Sequence, residues 1–320
     1  MTQAEKLLHS LTLKEKCSLL SGATFWETAE IKRLKLPSVW MADGPHGLRK
    51  QLGKNDRSGI GESVPATCFP PACTLAATWS PDLARQMGAA IGEECQQNGV
   101  SLLLGPGINL KRSPLCGRNF EYYAENPYLT GEMASGFIKG LQSQGVGACV
   151  KHFAVNNQED HRMRVDSVVD DRALHELYLS AFERVVKEAK PWAVMCSYNR
   201  LFGTYCSENH WLLTTLLRDR WGFGGLTVTD WGACNDRVKG LKAGMELEMP
   251  TSSGLNTKKL LRAVQKGELS VSTIDAAALS VLRFVCKGVE NRRPETTFSK
   301  TGHHALAREI AAEGDRKSVV

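Results

Sequence analysis

Apolar residues along the chain gather in short runs that stop at polar or glycine-rich positions: 39–42, 100–104, 148–150, 193–196, 226–229 and 245–249. Runs this continuous mark parallel strands covered on both faces, where no solvent side demands alternation. Stretches of helical period lie between them. Residues 81–98 follow Ser80 as N-cap, begin with a proline at the first helical position and close at Asn98-Gly99. Residues 171–189 set Leu174, Leu177, Tyr178, Ala181, Phe182, Val185 and Val186 on one face with charge opposite, which predicts a helix covering a strand. Segments 210–220, 257–266 and 272–285 predict three more, the last starting at Ser272-Thr273. Strands alternating with helices predict an α/β fold, a (β/α)8 TIM-like barrel with irregularities, of which six strands can be seen in the sequence.

Composition narrows this picture. One barrel of roughly 250 residues or more would use most of a 320-residue chain, and 42% hydrophobic with 23% charged residues is ordinary for a globular protein. From about Val289 the pattern changes to charges, a proline and a helical patch with no strand before it, so the expected division is 1–290 for the barrel and 291–320 for a linker into something else. A net charge of +6 with Lys and Arg scattered among acids lacks the basic stripe that nucleic acid requires. No segment approaches the roughly 20 apolar residues of a membrane span, and the start MTQAEKLLHSLTLKEK is too polar for a signal-peptide core, which predicts a cytoplasmic protein without a membrane partner. The ten cysteines form no CxxC pair, and Cys149 and Cys196 sit in apolar runs, so reduced buried thiols are expected rather than disulfides or zinc. No HExxH or Cys/His ligand spacing occurs, and Gly105-Pro106-Gly107 lacks the rest of a dinucleotide fingerprint and reads as a turn; neither metal nor cofactor is expected.

In a parallel barrel the carboxyl ends of all strands open on one face. The residues ending the apolar runs are therefore candidates for one cavity: Asp43, Lys151 and His152, Tyr198 and Asn199, Asp230 and Trp231. Carboxylates, a cation, hydroxyl groups and an aromatic plate suit a sugar, a polyol with one apolar face. Retaining cleavage of a glycosidic bond needs one carboxylate near the anomeric carbon and a carboxyl group about 5–5.5 Å away as proton donor. Asp230 is readily nominated as the first. Plainer readings stand beside these: Asp230 as the cap of a following helix, Asp43 as a turn residue before Gly44-Pro45, Tyr198 as a core aromatic, and Arg118 and Arg162 as solvated loop charges. Lys151 at the end of a buried strand is costly unless paired or at a cavity mouth.

The motifs MADGPHGLR, KRSPLCGRNFEYYAENP, KHFAVNNQEDHR, VMCSYNRLFGTYCSENHWLL and WGFGGLTVTDWGA, in that order, resemble glycoside hydrolase family 3 of the β-glucosidase type over residues 10–290. The resemblance implies a barrel domain with Asp230 as nucleophile. It further implies that Asp43, Arg118, Lys151, His152, Arg162 and Tyr198 hold the sugar hydroxyls, that Trp231 flanks the leaving group, and that the partner is a small-molecule or oligosaccharide β-glycoside. Family members of this type continue into an α/β sandwich that supplies the acid/base glutamate, and HHALAREIAAEG is like the stretch that opens it. DRKSVV after Gly314 departs from the strand expected there, so the chain reads as truncated, with self-association through the exposed face. Glu159 and Glu121 are in-chain candidates for a substitute acid, though support of neighbouring Arg or loop backbone is the simpler role for each. Two other functions compete: a carbohydrate-binding fragment impaired in turnover, and an aldolase-type barrel with Lys151 as Schiff-base former.

Overall fold

The computed structural model describes residues 1–52 and 61–318, with side chains described to residue 315. Five strands, β1 (Trp40–Ala42), β2 (Val100–Leu103), β3 (Gly147–Phe153), β4 (Ala193–Cys196) and β5 (Leu226–Thr229), pair in sequence order in one parallel sheet. They coincide with the first five predicted runs. The sixth run, at 245–249, contributes single parallel bridges, Leu247 to Val228 and Glu248 to Ser21. Residues 20–28 then bring the pairing round to β1: Glu248 N–H donates to the Leu20 carbonyl (3.0 Å) and Met41 N–H to that of Trp26 (2.9 Å). The barrel is thus irregular, and its closing segment is an aromatic loop with no strand periodicity to announce it.

Side chains alternate across the sheet wall. Met41, Leu102, Leu104, Cys149, Met195 and Val228 belong to one buried cluster, whereas Ala42, Leu103, Ala148, Val150, Val194 and Cys196 belong to the other, beneath the helices. Helices α1 (Gln3–Ser10) and α2 (Leu13–Leu19) each begin with a reciprocal capping box, Thr2 with Glu5 and Thr12 with Glu15. After α3 (Ala72–Ala77), α4 (Pro81–Gln97) starts where its sequence predicts, with Ser80 Oγ accepting from Leu83 N–H at 3.2 Å. It packs on α5 (Pro127–Ser143) so closely that a Cβ at Gly88 or Gly140 would collide with the carbonyls of Phe137 and Arg85.

The predicted 171–189 helix is interrupted. Residues Leu174–Tyr178 form a wide turn in which Leu179 N–H reaches the Leu174 carbonyl (2.9 Å), before α6 (Ser180–Glu188) resumes. One extra residue in the turn rotates the face: Leu179 is buried, while Leu177 and Tyr178 are only half-buried. Residues 211–220 form α7 (Trp211–Arg220), also wound in wide i→i+5 turns. Then follow α8 (Arg237–Ala243), α9 (Leu255–Gln265) and α10 (Val271–Glu290); α10 begins earlier than predicted because Ser270, not Ser272, caps it by accepting from Thr273 N–H at 3.1 Å.

The change of pattern near Val289 falls at the end of α10, at Glu290, and beyond it a further helix, α11 (Lys300–Ser318), packs against α3 and α4. Ile310 of α11 is fully buried in the main core. His303 is clamped by Glu94 (2.8 Å) and Glu93 (3.2 Å) and stacks on Phe298 at 4.9 Å. Burial alone would depress the imidazole pKa, but the two carboxylates outweigh it and raise it. These contacts lie 209 and 210 positions apart in the chain, which is why the helical patch alone could not show them. Of the segment after Gly314, Val319 and Val320 lie outside the described residues. All ten cysteines are free, with seven buried and Cys68 exposed. Among the described residues no helix is long and apolar enough to cross a membrane.

Candidate active site

The eight residues expected as nucleophile or sugar contacts, Asp43, Arg118, Lys151, His152, Arg162, Tyr198, Asp230 and Trp231, line one cavity of about 320 Å³ at the carboxyl ends of the strands, together with Phe25, Trp26, Leu104 and Met195. Asp43 follows β1, Tyr198 lies two residues beyond β4, and Asp230 directly follows β5. Lys151 and His152 differ from expectation in lying inside β3, which extends to Phe153. Pairing of β3 with β4 slips between Val150 and Phe153, and this irregularity turns both neighbours toward the cavity. Asn199 does not join them; its amide donates to the Ala154 carbonyl and to Ser167 Oγ, both at 3.2 Å.

Asp230 is almost fully buried. Its Oδ1 accepts from Trp231 N–H at 2.7 Å, and its Oδ2 lies 3.7 Å from His152 Nε2. Burial raises its pKa against the opposing pull of Arg118, Lys151, the Trp231 amide and Tyr198. The helix-cap alternative fails, because the next helix, α8, is capped by Asp236, whose Oδ1 accepts from Val238 (3.0 Å) and Lys239 (3.1 Å). Asp230 therefore has no structural helix to serve, and its second oxygen faces the cavity.

Lys151 Nζ donates to Asp43 Oδ1 at 2.9 Å and stands 3.8 Å from Glu121 Oε2. Burial works to deprotonate it, yet Asp43 and Glu121 prevail and its pKa is raised. That direction is the opposite of what a Schiff-base lysine needs, so the aldolase reading loses its support. Asp43 is likewise held ionised: desolvation pushes its pKa up, and Lys151 more than reverses this. Its side chain is thus engaged with Lys151 rather than serving only a turn.

His152 is neutral, its pKa pulled well down by burial and by the Arg118, Lys151 and Arg162 charges. Because an arginine can only donate, the 2.8 Å contact from Arg118 makes Nε2 the acceptor. Nδ1 then carries the proton and donates to Tyr122 Oη at 3.2 Å. Asn109 fixes the backbone here, accepting from His152 N–H (2.8 Å) and donating to the His152 carbonyl (2.9 Å). Arg118 also pairs tightly with Glu121 and approaches Glu159 at 4.0 Å. Arg162, partly exposed, donates to Glu159 at 3.0 Å and lies 5.0 Å over the Tyr198 ring, whose hydroxyl donates to the Trp231 carbonyl at 2.9 Å.

An aromatic wall completes the cavity, and half of it was not foreseen. Trp231 Nε1–H donates to the Phe25 carbonyl at 2.8 Å, and its ring lies 5.4 Å from that of Trp26 and 6.5 Å from that of Phe25. Phe25 and Trp26 come from the closing segment. Their one sequence signal is an aromatic doublet between Thr24 and Glu27, outside any predicted element. Glu121, nominated as a substitute acid, is instead a buried counter-ion shared by Arg118 and Lys151. Removing one member of such a buried pair leaves an uncompensated charge and costs about 3–5 kcal/mol. Glu121→Gln is accordingly expected to lower the unfolding free energy in urea by about that amount; a change below about 0.5 kcal/mol would show that the contact carries no weight. Among the described residues no group of three or more His, Cys, Asp or Glu is arranged to hold a metal ion.

The fold and this site define a parallel α/β barrel with a carboxylate-bearing, aromatic-walled pocket at the carboxyl ends of its strands. The chain belongs to glycosyl hydrolase family 3: residues 21–284 match the family's N-terminal domain. It is 54% identical over 309 residues to the thermostable β-glucosidase B of Acetivibrio thermocellus, covering 97% of this chain and 41% of that protein. An exo-α-(1→6)-L-arabinopyranosidase of Bifidobacterium longum is 46% identical, with 95% and 40% covered. Among solved structures, β-glucosidase 3B of Thermotoga neapolitana in complex with α-D-glucose superposes with a TM-score of 0.92 at 41% identity, covering 98% of this chain and 47% of that one. The chain thus spans about two-fifths of the length of these curated relatives.

Proposed function

We propose that this barrel forms the sugar-binding half of a retaining, exo-acting β-glycosidase and carries its nucleophile, Asp230. The observation that carries the reading is the convergence of the eight residues expected as nucleophile or sugar contacts on one cavity, with the buried Asp230 carboxylate under the influence of buried Lys151 and half-buried Arg118. A space of about 320 Å³ suits a single terminal sugar, with Asp43, Lys151, His152 and the arginines offering bonds to its hydroxyls and the Trp231 wall flanking the leaving group. Arg118 and Lys151 favour the ionised form of Asp230, which attacks the anomeric carbon as the glycosidic bond breaks; the departing oxygen needs a proton. A glucoside is the preferred substrate on the strength of the β-glucosidase relatives.

That proton has no evident source among the described cavity residues. Asp43 and Asp230 are the carboxyl groups lining it, Asp43 is held ionised by Lys151, and Glu121 and Glu159 are paired with arginines. The donor is proposed to come from the α/β sandwich that the motif resemblance implies, with 1–290 as the barrel unit and 291–320, whose helix α11 lies against the barrel, as the linker and start of that domain. A second reading follows from the same observation: the 320 residues by themselves bind a sugar and turn it over poorly. Proton NMR of an activated β-glucoside during hydrolysis tests retention. The β-anomer of glucose should appear before mutarotation, and initial release of the α-anomer would overturn the proposed nucleophile.

A further inference from the structure

A second cavity, of about 420 Å³, opens at the amino-terminal ends of β4 and β5, the opposite end of the barrel from the sugar pocket. Its walls are aromatic, from Trp192, Trp221, Phe223 and Phe284, and the glycine-rich loop 222–225 forms one side. That loop lies against the strand end: a Cβ on Gly225 would come within 2.5 Å of the Trp192 carbonyl oxygen, so only glycine fits. Three cations, Lys190, Arg283 and Lys287, line the opening, and no carboxylate does.

The acids nearby are engaged elsewhere. Glu246 pairs with Arg218 at 2.8 Å behind the loop, where Arg218 also donates to the Phe223 and Gly225 carbonyls, and half-buried Glu5 offsets part of the charge of exposed Arg283 from 3.6 Å, which leaves Lys190 and Lys287 as the stronger anion partners. Lys287 is the distinctive group. Its ammonium lies 4.3 Å over the Trp192 ring, and among the described residues it has no carboxylate partner. Lys287 is exposed, and its ammonium is held at the cavity mouth by the indole face alone, which leaves its charge free to meet a ligand. An anion arriving there would meet charge already in place, beside aromatic surface able to stack on a flat ligand.

We propose that this cavity is a second ligand site, separate from the sugar pocket, that takes a small aromatic carboxylate. The carboxylate lies among Lys287, Lys190 and Arg283, and the ring packs against Trp221 and Phe223. A phosphate fits less well, since the aromatic wall that takes up most of the lining offers it no donors beyond the three cations and the Ser280 hydroxyl.

Calorimetric titration of the chain with benzoate, and separately with inorganic phosphate, tests this. Saturable one-site benzoate binding is expected, unchanged by saturating glucose and weakened at least about tenfold, or 1.4 kcal/mol, by Lys287→Met. Lys190→Gln, which changes an exposed side chain, should weaken it in the same direction. Absence of saturable benzoate binding, binding by Lys287→Met or Lys190→Gln as tight as that of the unsubstituted chain, displacement by glucose, or phosphate binding as tight as benzoate would each overturn the proposal.

Discussion

Asp230→Asn should abolish measurable turnover of an activated β-glucoside, a loss of at least about 10³-fold, or ~4 kcal/mol of transition-state stabilisation. The amide keeps the shape of the carboxylate and can still accept from the Trp231 amide, so glucose affinity should change by less than about tenfold, 1.4 kcal/mol. Loss of chemistry with retained binding separates a nucleophile from a residue that merely supports the pocket. The pH profile sharpens the distinction. Because burial outweighs the neighbouring cations and raises the Asp230 pKa, the rate should fall on the acid side as Asp230 takes up a proton. The midpoint should lie above the ordinary aspartate value of about 3.9. Neutral His152, which lies 3.7 Å from Asp230, cannot supply that limb, since its own pKa is pulled well down. A variant that keeps a tenth or more of the rate would remove Asp230 from the reaction.

The second large effect concerns the leaving group. General acid assistance contributes about 10²–10⁴-fold, and it matters most when the departing alcohol is a poor leaving group. Nitrophenolate leaves without a proton; the glucose unit of cellobiose does not. If the described cavity residues contain no proton donor, the 320-residue chain should release nitrophenol from its β-glucoside while hydrolysing cellobiose at least about 10²-fold more slowly, relative to an enzyme with its acid in place. Initial rates on both substrates at matched saturation decide it. Comparable turnover of the two would require an acid within residues 1–320, and Glu159, which is only partly buried beside Arg162, would then be the residue to replace.

Much of this site is legible in the sequence, for a physical reason. A parallel barrel puts the residues after its strands on one face, so continuous apolar runs located Asp43, Tyr198 and Asp230 without any knowledge of distance. Lys151 and His152 were found by the same logic although they lie within β3, because the slip in strand pairing turns them inward. Arg118 and Arg162 came only from the motif resemblance, since loop arginines carry no periodicity. What escaped was long-range. Phe25 and Trp26 reach the cavity because residues 20–28 close the barrel between Glu248 and β1, a pairing across more than two hundred positions that no local pattern encodes. The docking of α11 escaped likewise, resting as it does on Glu93, Glu94 and a single fully buried Ile310. Within residues 171–189 the apolar spacing located the helix but could not show the wide turn that exchanges Tyr178 for Leu179 in the core.

A covalent glycosyl–Asp230 intermediate is the central claim, and trapping it is the most direct test. Incubation with a 2-deoxy-2-fluoro glucoside bearing a good leaving group, followed by peptide mapping, should find one sugar attached to the peptide containing Thr229-Asp230-Trp231, at Asp230 itself. A label on Asp43, Glu121, Glu159 or any other residue would contradict the account.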